Sequence, residues 1–88
     1  MKEKRKIFIK KLVYKSMYTG SRETDLILSR FAKEKINLLN DNELFSYENL
    51  LKMGDGKIWQ WVSGVQKTPK FKDKNITKII NTMKNMFV

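Results

Sequence analysis

Apolar residues recur every three or four positions through most of this 88-residue chain, which is the spacing of amphipathic helices. In the first segment, Met1 to Met17, the apolar face holds Ile9, Leu12, Val13 and Met17, and lysines lie off that face. We expect the first helix of a domain here. Because the segment is also basic, a helix that lies on a lipid surface and a cleaved targeting peptide are the alternatives.

The second predicted helix runs from Glu23 to Leu39 and has a wide apolar stripe. Its apolar residues are Ile27, Leu28, Phe31, Ala32, Ile36 and Leu39. A third helix should begin after Asn40, because Asn40 is a favourable N-cap and Glu43 stands three residues later, as in a capping box. Its apolar residues are Leu44, Tyr47, Leu50 and Leu51, and the run Gly54-Asp55-Gly56 ends it.

Two further helices follow. Asp55 is the predicted cap of a short fourth helix that ends near Gly64, and Pro69 lies in the loop after it. The apolar face of this helix holds Ile58, Trp61, Val62 and Val65. Asp73 or Asn75 precedes the fifth helix, whose apolar residues are Ile76, Ile79, Ile80, Met83 and Phe87.

No segment shows the period of two that is typical of a strand. We therefore predict an all-α fold, a compact bundle of about five short helices. A chain of this length has room for one small hydrophobic core. We expect a single helical domain over residues 1–88, with its core between about residues 7 and 87.

The charge of the chain is unevenly distributed. There are 19 Lys and Arg against 9 Asp and Glu, a formal net charge of +10. Residues 1–22 hold eight basic side chains and one acid, residues 23–56 hold four and seven, and residues 57–88 hold seven and one. A basic balance favours an anionic partner, and nucleic acid is the general candidate. The acidic middle separates two basic ends.

The absence of two residue types, Cys and His, excludes most enzyme classes. With no Cys there is no thiolate nucleophile and no zinc-finger ligand set, and with no His there is no Ser-His-Asp triad. We expect a non-catalytic protein with no catalytic residue and no metal site. No apolar run approaches the roughly eighteen residues of a membrane span, and no secretory signal is evident. We expect no membrane insertion and a location in the bacterial cytoplasm.

Two stretches carry a more specific pattern. The first contains Lys11, Leu12, Tyr14, Lys15, Ser16, Gly20, Glu23, Asp25 and Phe31. The second contains Asp55, Ile58, Trp61, Val62 and Gly64, with Pro69 after it. Together they resemble the succinate dehydrogenase assembly factor family of small five-helix proteins. That family has an Arg-Gly-x-x-Glu turn, then an acid-x-x-aliphatic-x-x-Trp-aliphatic-x-Gly segment, and the resemblance covers about residues 9–85.

One position departs from the family pattern. Thr19 stands where the family has an arginine before the glycine, so Gly20 and Glu23 are the preserved members of the turn. A threonine cannot supply the planar, permanently charged guanidinium. Either Arg22 or Lys15 replaces the missing cation, or the contact at this turn is altered.

The resemblance implies a function. It points to an assembly factor, or chaperone, that binds the flavoprotein subunit of succinate dehydrogenase and promotes covalent attachment of FAD. In the family the client's own histidine attacks the flavin, so the resemblance implies that FAD is handled on the client and that no cofactor is bound stably by this chain. Whether the fumarate reductase flavoprotein is a second client stays open.

The same resemblance makes the turn between the first two helices the candidate contact surface. The expected partner-binding residues are Gly20, Arg22, Glu23 and Asp25, with Lys15 and Tyr14 beside them. Spacing alone fits an ordinary helix joint, because carboxylates at a helix start interact favourably with the helix dipole. Trp61 is expected in the core, whereas Trp59 points roughly the other way and is either an interface anchor or a structural residue.

Two alternatives of other classes are open. A small basic nucleic-acid-binding domain fits the net charge, although the acidic middle and the lack of an Arg-rich recognition helix oppose it, so we expect no nucleic-acid partner. The second alternative is an antitoxin-like partner of a toxin, because members of the family have been described as antitoxins. A solvated basic face is the simpler interpretation of the lysines around the last loop, Lys67, Lys70, Lys72, Lys74 and Lys78.

Overall fold

Five α-helices and one short 3-10 turn make up the fold. A computed structural model describes residues 2–17 and 22–86, and none of these residues lies in a strand. The helices are α1 (Lys2–Met17), α2 (Arg22–Lys35), α3 (Asp41–Lys52), α4 (Asp55–Ser63) and α5 (Lys74–Met86). The prediction of an all-α bundle of about five short helices is therefore confirmed.

The first helix packs against α2 and α3, as expected for part of the domain. Leu12 is fully buried, and Ile9 and Val13 pack at the edge of the core. Ser16 is also fully buried, which its hydroxyl did not suggest. Met17, which was predicted on the same face, is 38% exposed because it ends the helix.

The second helix is shorter than predicted. Its α-helical part ends at Lys35, and a 3-10 turn over Ile36–Leu38 replaces the expected continuation to Leu39. Leu39 takes an extended conformation, and its N–H donates to the carbonyl of Ile36 at 3.2 Å. This tighter turn reverses the chain before the next helix while Ile36 stays buried.

The predicted capping box of α3 is confirmed. The Asn40 side chain accepts from the backbone N–H of Glu43 at 2.8 Å, and the Glu43 carboxylate accepts from the N–H of Asn40 at 2.9 Å. Arg5 of α1 reaches the same helix start, where its guanidinium contacts the Asp41 carboxylate and the Leu39 carbonyl. These contacts fasten α1 to the beginning of α3.

Two details of the fourth helix differ from the prediction. Gly54, rather than Asp55, is the N-cap, and it has φ 101° and no side-chain cap. Asp55 is instead the first helical residue, where its charge suits the helix dipole. Val65 was predicted on the apolar face but is 71% exposed, because the helix ends at Gly64 in the left-handed conformation, φ 84°.

The fifth helix begins at Lys74 and is capped by Asp73, not Asn75. One Asp73 carboxylate oxygen accepts from the N–H of Asn75 at 3.0 Å. The other accepts from the Ser46 hydroxyl, which joins the start of α5 to α3. Phe87, which was predicted on the apolar stripe of this helix, lies outside the described residues.

One core receives side chains from every helix. Phe31 and Tyr47 pack with their ring centroids 5.0 Å apart near its middle. Trp61 is 8% exposed, as predicted for a core residue, and meets Phe71 edge to face at 5.3 Å. This aromatic pair holds the loop between α4 and α5 against the bundle.

A buried pair of hydroxyl groups links α1 to α3. Ser16 donates to the carbonyl of Leu12 at 2.7 Å, and its oxygen lies 2.6 Å from the Tyr47 hydroxyl. Since the one Ser16 proton points at Leu12, Tyr47 must be the donor in the second bond. Burial raises the pKa of Tyr47 above its ordinary value of 10.0, so this proton stays in place at all moderate pH values.

Removing the two hydroxyl groups should have unequal costs. Tyr47→Phe loses one hydrogen bond and leaves Ser16 bonded to Leu12, so it should lower the free energy of unfolding by about 1 kcal/mol. Ser16→Ala strands the buried phenol and should cost more, roughly 1–3 kcal/mol. Urea unfolding of both single variants and the double variant measures this. If the double variant costs the full sum of the two single variants, the two hydroxyl groups do not interact, and the proposed hydrogen bond is contradicted.

Stability should also fall in acid through Glu43. The pKa of Glu43 is lowered from 4.5, first because its carboxylate accepts the Asn40 N–H and also because the Lys78 ammonium lies 3.2 Å away, while burial opposes both. A lowered folded-state pKa gives stability that is complete above about pH 5.5 and is lost as pH falls through that pKa.

The variant Glu43→Gln keeps the capping geometry but removes this titration. We expect it to be less stable than the parent protein at neutral pH, with the difference shrinking in acid. Thermal unfolding between neutral pH and about pH 3 is the measurement. A difference between the two proteins that does not change with pH would refute the role of this carboxylate.

Candidate functional site

A part-buried hydrogen bond joins the starts of α2 and α4. Thr24 is fully buried, and its hydroxyl donates to the carbonyl of Asp55 at 3.2 Å. The two residues are 31 positions apart and belong to the two stretches that carried the most specific sequence pattern. The fold therefore brings these stretches side by side.

An open groove lies beside this contact, between α2, α4 and α5, with a volume of about 440 Å³. We call it the Glu23 groove. It is lined by Glu23, Leu26, Ile27, Trp59, Val62, Ser63 and Lys84. All three helices are held to one another through the common core, so the groove is formed by fixed backbone on every side.

The groove combines exposed apolar surface with opposite charges. Leu26 is 63% exposed and Trp59 is 38% exposed, although both side chains are large and apolar. Glu23 supplies a carboxylate and Lys84 an ammonium on the same lining. An aromatic side chain with charged groups around it is typical of protein interfaces, where tryptophan is a frequent energetic anchor.

The predicted contact residues lie around the joint between α1 and α2. Tyr14, which is 65% exposed, and the exposed Lys15 are in the last turns of α1, and the exposed Arg22 and Glu23 are in the first turn of α2. Only four residues separate Met17 from Arg22, so these helix ends lie within about 18 Å of each other.

Two predicted residues have other positions. Asp25 is half-buried and accepts from the Ser29 hydroxyl at 3.5 Å, within its own helix. Gly20, like Tyr18 and Thr19, lies outside the described residues. Of the predicted contact residues that the structure describes, Glu23 alone lies on the lining of the groove.

Three groove residues had no part in the sequence prediction: Leu26, Ser63 and Lys84. Leu26 had a detectable signal, because it is an apolar residue outside the buried stripe of its helix. Ser63 and Lys84 had none, since their place on the lining depends on how α4 and α5 pack against α2.

Within residues 2–17 and 22–86, no three acidic side chains converge as a metal site would require. Nor is any helix of the described chain both long enough and apolar enough to cross a bilayer. The features that characterise the candidate site are its apolar surface and its charged side chains.

Fold and site together define a class: a small all-α domain with an apolar, tryptophan-bearing groove. The family model described as the flavinator of succinate dehydrogenase matches residues 10–86. The chain belongs to this family, as the resemblance indicated.

Curated relatives agree with the family model. A protein of Schizosaccharomyces japonicus named succinate dehydrogenase assembly factor 2, mitochondrial, is 44% identical over 69 residues, which cover 78% of this chain and 48% of the relative. Proteins of the same name from Meyerozyma guilliermondii and Saccharomyces cerevisiae (strain S288c) are each 39% identical, over 74 and 64 residues. They cover 80% and 73% of this chain and 55% and 40% of those relatives. The chain thus spans about half the length of the curated relatives, and no solved structure matches it.

The relatives overturn the expected location. They are named mitochondrial and come from fungi, so the prediction of a bacterial cytoplasmic protein is wrong. That prediction followed from the lack of a membrane span and of a secretory signal. Neither feature separates the cytoplasm from the interior of a mitochondrion, because a protein of either aqueous compartment lacks both.

The two tryptophans should differ in solvent access. In a Trp61→Phe variant the remaining indole, Trp59, should be quenched readily by acrylamide, because it is 38% exposed. In the matched Trp59→Phe variant the remaining indole, Trp61, is 8% exposed and should be protected. Stern–Volmer plots compare the two. Equal quenching would show that Trp59 does not line an open groove.

Proposed function

We propose that this chain is a non-catalytic assembly factor that binds the flavoprotein subunit of succinate dehydrogenase and promotes covalent attachment of FAD. Membership of the flavinator family supports this, as do relatives named succinate dehydrogenase assembly factor 2. In this proposal FAD stays on the client, and this chain holds no cofactor of its own.

The observation that carries the proposal is the convergence at the Glu23 groove. The sequence stretches that resembled the family lie 31 residues apart at Thr24 and Asp55, yet the fold joins them by a part-buried hydrogen bond. Glu23 and Trp59, one from each stretch, then line the same groove. A shared surface is a simple physical reason for both stretches to be present in one protein.

Each part of the groove has a role in this proposal. Leu26 and Trp59 offer apolar surface that the client can bury, which supplies most of the binding free energy. Glu23 meets a cation or a backbone N–H on the client and fixes the orientation of the complex. With no His or Cys in the chain, the client and its flavin provide the reacting groups.

Assistance of this kind acts through positioning. A client that is held with its nucleophile aligned on the flavin reacts faster because less orientational freedom is lost at the transition state. A helper therefore needs a rigid contact surface rather than a catalytic base. The groove fits this requirement, since its three walls share one core.

The test is co-expression with the succinate dehydrogenase flavoprotein in cells that lack their own factor. Covalent flavin is read as fluorescence that survives denaturing electrophoresis. We expect Trp59→Ala to lower the flavinylated fraction roughly tenfold at limiting factor, through lost client affinity. Glu23→Gln should lower it by about threefold or more, since one charged contact is lost.

Matched control variants distinguish the loss of a contact in the groove from a general change in charge or hydrophobicity. Leu38→Ala removes an apolar side chain that is 74% exposed and lies away from the groove, and Glu3→Gln removes an exposed carboxylate of α1. Both should leave flavinylation unchanged. If the parent chain gives no covalent flavin, the proposed function fails, and if the controls lose as much as the groove variants, the groove is not the contact surface.

A further inference from the structure

A second surface lies on the exposed side of α5, opposite the buried apolar stripe of that helix. The loop between α4 and α5 and the exposed side of α5 form a cleft of about 780 Å³. Four lysines line it, Lys67 and Lys70 from the loop and Lys74 and Lys78 from the helix, and no acidic residue of the described chain is on its lining. This basic cleft shares no lining residue with the Glu23 groove.

Most of this positive charge is uncompensated. Lys78 pairs with Glu43 at 3.2 Å. Among the ion pairs of the described chain, none involves Lys67, Lys70 or Lys74. Several ammonium groups that converge on one concave surface raise the local positive potential more than the same groups spread over a convex one.

The helical wall also carries hydrogen-bonding side chains in a row. Lys74, Lys78, Asn81 and Asn85 follow one another at helical spacing along the cleft, over a length of about 16 Å. Asn81 and Asn85 are exposed, and within the described structure their carboxamides make no hydrogen bond. Each carboxamide can donate and accept at the same time.

The loop wall is held in place at both ends. Phe71 packs edge to face on the buried Trp61, and the N–H of Gln66 donates to the carbonyl of Gln60 at 3.0 Å. Asp73 then caps α5. The backbone that presents Lys67 and Lys70 is therefore ordered before any partner arrives, which lowers the entropic cost of binding.

We infer that the basic cleft binds an acidic polypeptide segment in an extended conformation. The lysine ammonium groups can form ion pairs with carboxylates. The asparagine carboxamides can form hydrogen bonds with the alternating N–H and C=O groups of a peptide backbone. A nucleic-acid strand offers mainly acceptors along its phosphate backbone and usually stacks its bases on open aromatic rings. Among the described residues, the lining has one aromatic side chain, Phe71, which is half-buried and already packed on Trp61.

The probe is a labelled peptide of about eight glutamates, which exceeds the length of the cleft when extended. Titration of the isotope-labelled full chain, followed by amide chemical shifts, should place the changes on residues 67–85. Lys70→Gln/Lys74→Gln should weaken the peptide about fivefold, as expected for the loss of two exposed charge contacts. Asn81→Ala/Asn85→Ala should weaken the peptide and leave binding of a generic single-stranded DNA unchanged.

The matched control is Lys10→Gln/Lys11→Gln, which removes the same charge from exposed positions of α1. It should bind the peptide as the parent does. Equal weakening by both lysine pairs would mean that net charge alone is responsible, and would overturn the inference. Tighter binding of the DNA strand than of the peptide at the same cleft, or no shift change there, would overturn it as well. None of these readouts involves flavinylation, so the inference and the proposed function fail separately.

Discussion

The hydrogen bond from Thr24 to the carbonyl of Asp55 is the contact on which the candidate site depends. It lies between two helix starts, and its donor residue Thr24 is completely buried, so a lost bond would leave a buried hydroxyl without this partner. α4 has only nine residues, and three of them are buried in the common core. The Thr24 contact adds a polar link between this helix and α2, the two helices that carry Trp59 and Glu23.

Two glycines set the ends of that short helix. Gly54 precedes it with φ 101° and Gly64 follows it with φ 84°, and both conformations are strained for other residues. Between them, Trp59 and Trp61 are two positions apart, which puts their side chains on opposite faces of a helix. One indole joins the core and the other reaches the groove, so the same nine residues stabilise the fold and shape the site.

Local rules predicted the parts of this structure that are decided locally. The Asn40–Glu43 capping box and the burial of Trp61 follow from neighbouring residues and helical spacing, and both are present. The early end of α2 at Lys35 was missed, because a 3-10 turn keeps Ile36 buried where the apolar pattern predicted more α-helix. The exposure of Val65 was missed although Gly64, a local stop signal, ends α4 before it. Within the groove, Glu23 was predicted through a motif, whereas Lys84 belongs to a helix whose docking no short sequence pattern reveals.

The distribution of charge now has a structural interpretation. The net charge of +10 suggested nucleic acid, yet the two candidate surfaces differ in the charges that they carry. The groove mixes one carboxylate with one ammonium around apolar surface, which suits a protein surface of mixed character. Four of the lysines line the basic cleft on the exposed side of α5, and of these Lys78 pairs with Glu43. A partner could engage both the Glu23 groove and the basic cleft if its apolar patch and its acidic segment were as far apart as these two surfaces. Once the first contact had formed, the second would form at high effective concentration. Neither contact alone would then have to be strong.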